Sequence, residues 1–303
     1  MTILITRHDK IGDFITALPM CKIIKEQTNY RIVMMVSKVN VQLAKSFDFI
    51  DEVIEYSTDS FVLLKRINII KADVSISGYI DIHLGLCLFL ARIPIRISPA
   101  TKIAQIFFNK TIKQSRSLVE KTEWKYNLDL VKLFDDTLKL EFKKPLISLD
   151  NNLQEKRVIF HVGFGGSSDT NLSLDDYLSL AKSISDEIEV VFTFGPDDDL
   201  SKEYITRNLT FKAIIKDDIK SLVEFTRYIN KAELFVSTST GPMHLAGLTN
   251  TRTLSFFGNK LFASSKRWAT ISEEKYQNNY EIPDNYNKEF YNKIQKKLME
   301  LIS

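Results

Sequence analysis

Four consecutive hydroxyl residues, Ser237-Thr238-Ser239-Thr240, followed by Gly241 and Pro242, separate an apolar run from Met243-His244-Leu245-Ala246. Proline at the first helical position with glycine before it marks a helix N-terminus. There the leading backbone N–H groups have no partner inside the helix, and the positive end of the helix dipole points outward. Such a cradle suits a phosphate. A single hydroxyl would be an ordinary cap, whereas four in a row point to a bound anion. A second turn, Gly163-Phe164-Gly165-Gly166-Ser167-Ser168, follows the apolar run Val158 to Val162. It therefore stands at the carboxyl end of a strand, where open α/β sheets bind ligands. Two such turns in one half of the chain point to a nucleotide.

Near the start of the chain, Thr6-Arg7-His8-Asp9-Lys10-Ile11-Gly12-Asp13 joins a strand to a helix. Asp13 falls in the first turn of that helix. It is either a favourable acid at a helix N-terminus or a carboxylate set to take a proton from a hydroxyl. The triplet Asp197-Asp198-Asp199 has the chemistry of a magnesium or manganese site, but it follows Gly195-Pro196 and begins a helix, where acids are common. His8, His83, His161 and His244 lack metal-ligand spacing, so no metal site is expected. Cys21 and Cys87 sit in apolar patterns and are expected as core thiols.

These residues need strands and helices to hold them. Ile3 to Thr6 reads as a strand, and Phe14, Ile15, Leu18, Cys21 and Ile24 recur at helical spacing after it. A strand at Arg31 to Val36, a helix around Val41 to Phe47, and short apolar runs near Val53 and Val74 follow. Strand and helix alternate, which predicts a parallel doubly wound sheet. After the polar, turn-rich segment Pro145 to Lys156 the scheme restarts, with strands at 157–162, 190–194 and 234–236 and helices at 174–184 and 222–229. The expected domains are 1–152 and 153–303. Phe290, Ile294, Leu298 and Leu301 make one stripe on a terminal amphipathic helix, about 287–303.

At 303 residues, 44% hydrophobic and 26% charged, the chain has room for two such domains, and its composition excludes disorder and low complexity. Its longest apolar run, Ile82 to Ala91, has ten residues where a membrane span needs about 20, so no membrane-spanning helix is expected. Met1 leads straight into an apolar strand without a secretory leader, and a cytoplasmic location is expected. Charge is uneven: residues 1–150 carry 22 basic and 17 acidic side chains, and residues 151–303 carry 19 and 21. No acid occurs from Ile82 to Val119, a stretch holding Arg92, Arg96, Lys102, Lys110, Lys113 and Arg116. It is either a solvated face or a surface for an anionic partner. Nucleic acid is not expected, because only Phe107 and Phe108 offer a stacking platform and no nucleic-acid motif accompanies them.

The two end motifs together resemble glycosyltransferase family 9, the ADP-heptose:lipopolysaccharide heptosyltransferases. Ile3-Leu4-Ile5-Thr6-Arg7 with Ile11-Gly12-Asp13 and Leu18-Pro19 is similar to the family's opening. Ser239-Thr240-Gly241-Pro242-Met243-His244-Leu245-Ala246, with Phe256-Phe257-Gly258 after it, is similar to its donor-site signature. His161 to Gly166, Leu172 to Tyr177 and Gly195 to Asp198 fall between them in the family's order. The resemblance implies a GT-B architecture, two Rossmann-like doubly wound α/β domains facing across a cleft, with the last helix returning toward the first domain. It implies Asp13 as general base and Arg7, Lys10 and Gly12 beside the acceptor, where Lys102, Lys110 and Lys113 are also expected. For the nucleotide sugar, expected to be ADP-heptose, it implies Thr240, Gly241, Met243 and His244 on the pyrophosphate and Asp198 at the nucleoside. Gly163, Gly165, Gly166, Thr170, Ser239, Pro242 and Arg267 complete that expected set.

Two positions depart from the family's pattern. Thr170-Asn171-Leu172 replaces a loop lysine, leaving Lys266 and Arg267 to supply a cation, and Ser239 replaces an aspartate. The expected reaction is a single inverting transfer, without a metal or other cofactor, to a lipid-linked anionic saccharide at the inner membrane surface. A nucleotide-sugar epimerase and a catalytically silent nucleotide-binding protein remain the alternatives.

Overall fold

The computed structural model describes residues 1–147, 149, 155–163 and 170–302. The chain divides into two units, Met1–Lys143 and Lys144–Ser303.

The first unit alternates β1 (Thr2–Arg7), α1 (Ile11–Gln27), β2 (Arg31–Val36), α2 (Val41–Ala44), β3 (Glu52–Glu55), α3 (Ser60–Ile70), β4 (Val74–Ser77), α4 (Ile82–Leu90), β5 (Ile95–Pro99), β6 (Lys110–Ile112) and α5 (Glu123–Phe134). The strands form a parallel sheet in the order β3-β2-β1-β4-β5-β6. Ile3, Leu4, Ile5, Val33, Val74 and Ile76 are fully buried, as expected of strands covered by helices on both faces. Chain direction across the sheet reverses between β1 and β4, which opens a crevice beyond their carboxyl ends. Arg7 ends β1 at that edge, and Asp13 follows in the first turn of α1.

The second unit contains β7 (Glu155–His161), α6 (Leu174–Lys182), β8 (Glu189–Thr193), α7 (Asp199–Asn208), β9 (Ile214–Lys216), α8 (Leu222–Asn230), β10 (Ala232–Thr238), α9 (Gly241–Leu248), β11 (Thr253–Gly258), α10 (Ser265–Trp268), β12 (Gln277–Ile282) and α11 (Lys288–Ile302). Its order, β12-β11-β10-β7-β8-β9, repeats the scheme of the first sheet with the reversal between β7 and β10. Both phosphate-cradle candidates therefore leave the two strands that flank one switch point.

The second unit begins before residue 152, because Lys144 Nζ donates to Ser272 O at 2.9 Å and the Leu146 and Ile147 amides donate to Leu248 O at 3.0 and 3.3 Å. The stripe Ile294, Leu298 and Leu301 of α11 is buried in the second unit's own core with Val236, Leu254 and Leu180. Arg252 Nη1 fixes the helix end by donating to Leu301 O at 2.8 Å. Cys21 and Cys87 are buried thiols, as their apolar surroundings predict. Among the described residues, no helix is long and apolar enough to cross a membrane.

Candidate active site

In the first unit the site is built around a buried cation. Arg7 is 3% exposed, and its guanidinium donates to Asp9 Oδ1 at 2.9 Å, Gly78 O at 3.1 Å, Asn127 Oδ1 at 3.3 Å and Asp13 Oδ1, with Glu123 Oε1 at 3.5 Å. Burial alone disfavours its charge, but Asp9, Asp13 and Glu123 outweigh that and hold its pKa above the ordinary value. Asp9 is pushed up by burial and by Asp13, against the pull of Arg7. Gly78 lets the guanidinium pass, since a Cβ there would stand 3.2 Å from Arg7 Cδ. Asn127 of α5 also donates to Thr16 O at 3.0 Å, and Thr16 Oγ1 donates to Asp13 O at 2.7 Å. Helix α1 is thereby locked with Asp13 against Arg7.

Arg7 is enclosed by its protein partners and positions Asp13, whose side chain keeps 16% exposure. Lys10, just before α1, is exposed, and Gly12 is half-buried beside Asp13. Asp9, Glu123 and Asn127 went unforeseen. Nothing local in the sequence ties α5 to β1, and only a buried Glu on a helix face would have signalled it.

In the second unit, Thr238 Oγ1 donates to Gly163 O at 2.9 Å, joining the end of β10 to the turn after β7. Thr240 precedes α9, with its hydroxyl donating to Thr238 O at 3.3 Å, and Gly241 and Pro242 open the helix. Ser239 is held by its amide on Phe256 O at 2.8 Å, and Met243 and His244 are buried. The four hydroxyls and the α9 N-terminus thus lie at the switch point. The turn residues Gly165 and Gly166 lie outside the described residues.

Asp198 comes to the same edge. Its Oδ2 accepts from the Gly195 amide at 2.7 Å, and the carboxylate packs directly on Gly163. Asp197 and Asp198 line a groove of about 560 Å³ with Leu174, Leu200, Tyr204 and Arg207. Burial lowers the pKa of His161 to about 4, partly offset by Asp198, so the imidazole stays neutral near pH 7 and pairs with Thr193 Oγ1 at 3.0 Å. Thr170 is placed at the far edge of the sheet, where its hydroxyl donates to Ile282 O at 2.9 Å. Arg267 is buried, with Cζ 3.5 Å from the Phe262 ring centroid and 4.7 Å from that of Trp268, and Trp268 meets His244 edge-on at 6.4 Å. Lys266 is exposed beside it. Among the described residues, no three His, Cys, Asp or Glu side chains are grouped to hold a metal.

The family described as glycosyltransferase family 9 (heptosyltransferase) matches residues 102–297. A Haemophilus influenzae protein described as "Putative glycosyltransferase" is 33% identical over 300 residues, covering 89% of this chain and 86% of the relative. The chain belongs to glycosyltransferase family 9. Its fold is similar to those of the E. coli heptosyltransferase WaaC with ADP and of the E. coli ADP-heptose lps heptosyltransferase II. Each comparison has a TM-score of 0.80, at 14% and 15% identity, covering 99% and 100% of this chain and 100% and 98% of theirs. The shared fold is the α/β GT-B type, two Rossmann-like units, and this family 9 member is a glycosyltransferase.

Cations of the glycosyltransferase's basic stretch sit on different elements. Lys102 Nζ lies 4.1 Å from the Tyr79 ring centroid and donates to Ile80 O at 3.3 Å, close to the β1–β4 edge. Lys110 opens β6, where its charge helps lower the pKa of Asp135 after that carboxylate's bonds to Thr137, and Lys113 follows the other end of the strand. Phe107 and Phe108 pack over Gly85 instead of offering a stacking platform.

The Gly163–Asp198 contact makes a sharp prediction. A Cβ on Gly163 would stand 2.0 Å from Asp198 Oδ2, so Gly163→Ala must expel the carboxylate from its seat on the Gly195 amide. A hydrogen bond to a charged group is worth about 1.5–3 kcal/mol. The variant is expected to melt lower than the parent. Unchanged melting would show that Asp198 has no such seat to lose.

Proposed function

We propose that this family 9 glycosyltransferase moves heptose from ADP-heptose to a hydroxyl of the lipopolysaccharide or lipooligosaccharide core. The observation that carries the reading is the meeting of the Gly163 turn and the α9 N-terminus at one switch point, bonded through Thr238. That arrangement offers backbone N–H groups and hydroxyls to a pyrophosphate and leaves Asp198 and the adjoining groove to the nucleoside. The ligands of E. coli heptosyltransferase WaaC, ADP and ADP-2-deoxy-2-fluoro heptose, support the choice of donor.

The reaction is a single displacement. Asp13 takes the acceptor hydroxyl's proton late, as the oxygen attacks the anomeric carbon and inverts it. The C–O bond to the diphosphate breaks as the new one forms, and ADP leaves. The α9 N-terminus and Ser239 and Thr240 stabilise the negative charge as it builds on the leaving oxygen, which is when such donors lower the barrier most. Lys266 and Arg267 stand in for the family's missing loop lysine. Lys10, Gly12 and Lys102 receive the anionic, lipid-linked saccharide at the inner face of the cytoplasmic membrane, with Lys113 and Lys110 farther along the basic stretch.

Transfer in this reading persists in excess EDTA, because fixed helix and hydroxyl dipoles do the work a cation would do. The test is to incubate the protein with ADP-heptose, EDTA and lipopolysaccharide from a strain lacking this chain, and to weigh the product. A gain of one heptose is expected. Activity that stops in chelator and returns with manganese would move the catalytic role to a bound metal.

A further inference from the structure

The guanidinium that holds Asp13 is shared. Nη2 of Arg7 donates to Asp13 Oδ1, and the same nitrogen lies 3.5 Å from Oε1 of Glu123, the first residue of α5. That second contact is long for a hydrogen bond, so what Glu123 brings to Arg7 is chiefly charge. Nη1 is already anchored by two neutral oxygens, Gly78 O and Asn127 Oδ1. Asn127 follows Glu123 by one helical turn, which sets both side chains on the face of α5 that meets Arg7.

Glu123 is 1% exposed and serves a second cation, since Arg116 Nη1 donates to the same Oε1. Arg116 is also held from elsewhere: its Nε and Nη2 donate to Gln114 Oε1 at 2.9 and 2.8 Å, and Gln114 Nε2 donates to Tyr126 O of α5 at 2.6 Å. Taking a carboxylate out of water is costly, and its ion pairs repay that at best in part, so stability is a weak reason for such a cluster. Grouped buried charges of this kind gather where a proton-handling side chain is tuned.

We infer that Glu123, backed by Arg116, is a positioning residue that divides the charge of Arg7 with Asp13 and so keeps Asp13 able to take a proton. A carboxylate bound to an undivided guanidinium is held in its charged form and is a weak base. A second carboxylate on the same nitrogen offsets that pull, and Arg116 limits the offset by neutralising part of Glu123. The other charged groups on elements around Asp13 are Asp9 and Lys10 of the turn before α1, and Lys38 of the 3-10 turn Lys38–Asn40 packed against α1. The inference rests on Asp13 as the base proposed above, but a titration without donor or acceptor separates the two readings.

Two variants should move the pH dependence in opposite directions. Glu123→Gln keeps the side chain's size and an oxygen for both arginines but removes the charge. The acidic limb of its kcat/KM profile should move about 0.5 to 2 in pH toward acid, with a plateau about two- to tenfold lower because a weaker base takes the proton. Arg116→Gln removes the cation that offsets Glu123, and the limb should move toward alkali, while Arg116→Lys, which keeps the charge, should restore the parent's profile. A merely structural role would cost both glutamine variants rate at every pH. Carbon-13 NMR of the full chain labelled at its aspartate carboxyls, with the Asp13 signal assigned by Asp13→Asn, reads the same shifts with no substrate present. Asp13 titration midpoints that stay with the parent's, or that move the same way in both variants, would overturn the inference. Midpoints that move in opposite directions while the rates keep the parent's pH profile would sustain the charge sharing and remove Asp13 as the base.

Discussion

Asp13→Asn is expected to lower sugar transfer by about 10² to 10⁴, while ADP affinity and melting temperature stay close to the parent's. The amide keeps the size and hydrogen-bonding shape of the carboxylate but cannot take the acceptor's proton. Stability is preserved because Arg7 retains Asp9, Glu123, Gly78 O and Asn127 after the change. Initial rates with saturating donor, together with calorimetric ADP binding, check both halves. Turnover near the parent's would remove Asp13 from the chemistry.

Arg7→Ala should be the most destabilising single change in the first unit. It leaves Asp9, Asp13 and Glu123 without their shared cation, while Glu123 keeps Arg116. Breaking a buried pair by deleting one partner costs about 3–5 kcal/mol. The sign of its pH dependence follows from the same carboxylates. Asp9 already sits above its ordinary pKa because of burial and Asp13, and losing Arg7 pushes it further up. A folded state that binds more protons than the unfolded one gains stability as pH falls, so the variant's deficit should shrink on acidification from neutral toward the ordinary carboxylate range. Urea unfolding at several pH values measures this. A deficit under about 1 kcal/mol at neutral pH, or one that grows on acidification, would contradict the role given to Arg7.

The sequence reads best where the signal is local. The hydroxyl run and Gly241-Pro242 announce the start of α9 because capping and proline chemistry act within a few residues. The alternating pattern likewise announces two parallel sheets, and the apolar contexts of Cys21 and Cys87 announce their burial. What escaped depends on partners distant in the chain. That Arg7 is a buried cation shows only when Gly78, Glu123 and Asn127 close around it. The acids Asp197 to Asp199 read as the start of a helix, and only the fold shows Asp198 turning to the Gly195 amide and packing on Gly163. Polar β12 has no apolar run to betray it and gains its place by pairing with β11 at the sheet edge. The stripe on α11 showed that the helix must dock, but periodicity carries no information about which core receives it.

The central claim, that Asp13 and the α9 N-terminus serve one displacement at the anomeric carbon, is tested most directly by the configuration of the new glycosidic bond. The NMR coupling at the anomeric position of the purified product, compared with that of the ADP-heptose donor, reads it in a single measurement. The account predicts inversion. Retention would require a second displacement, and with it a nucleophile that the account does not contain.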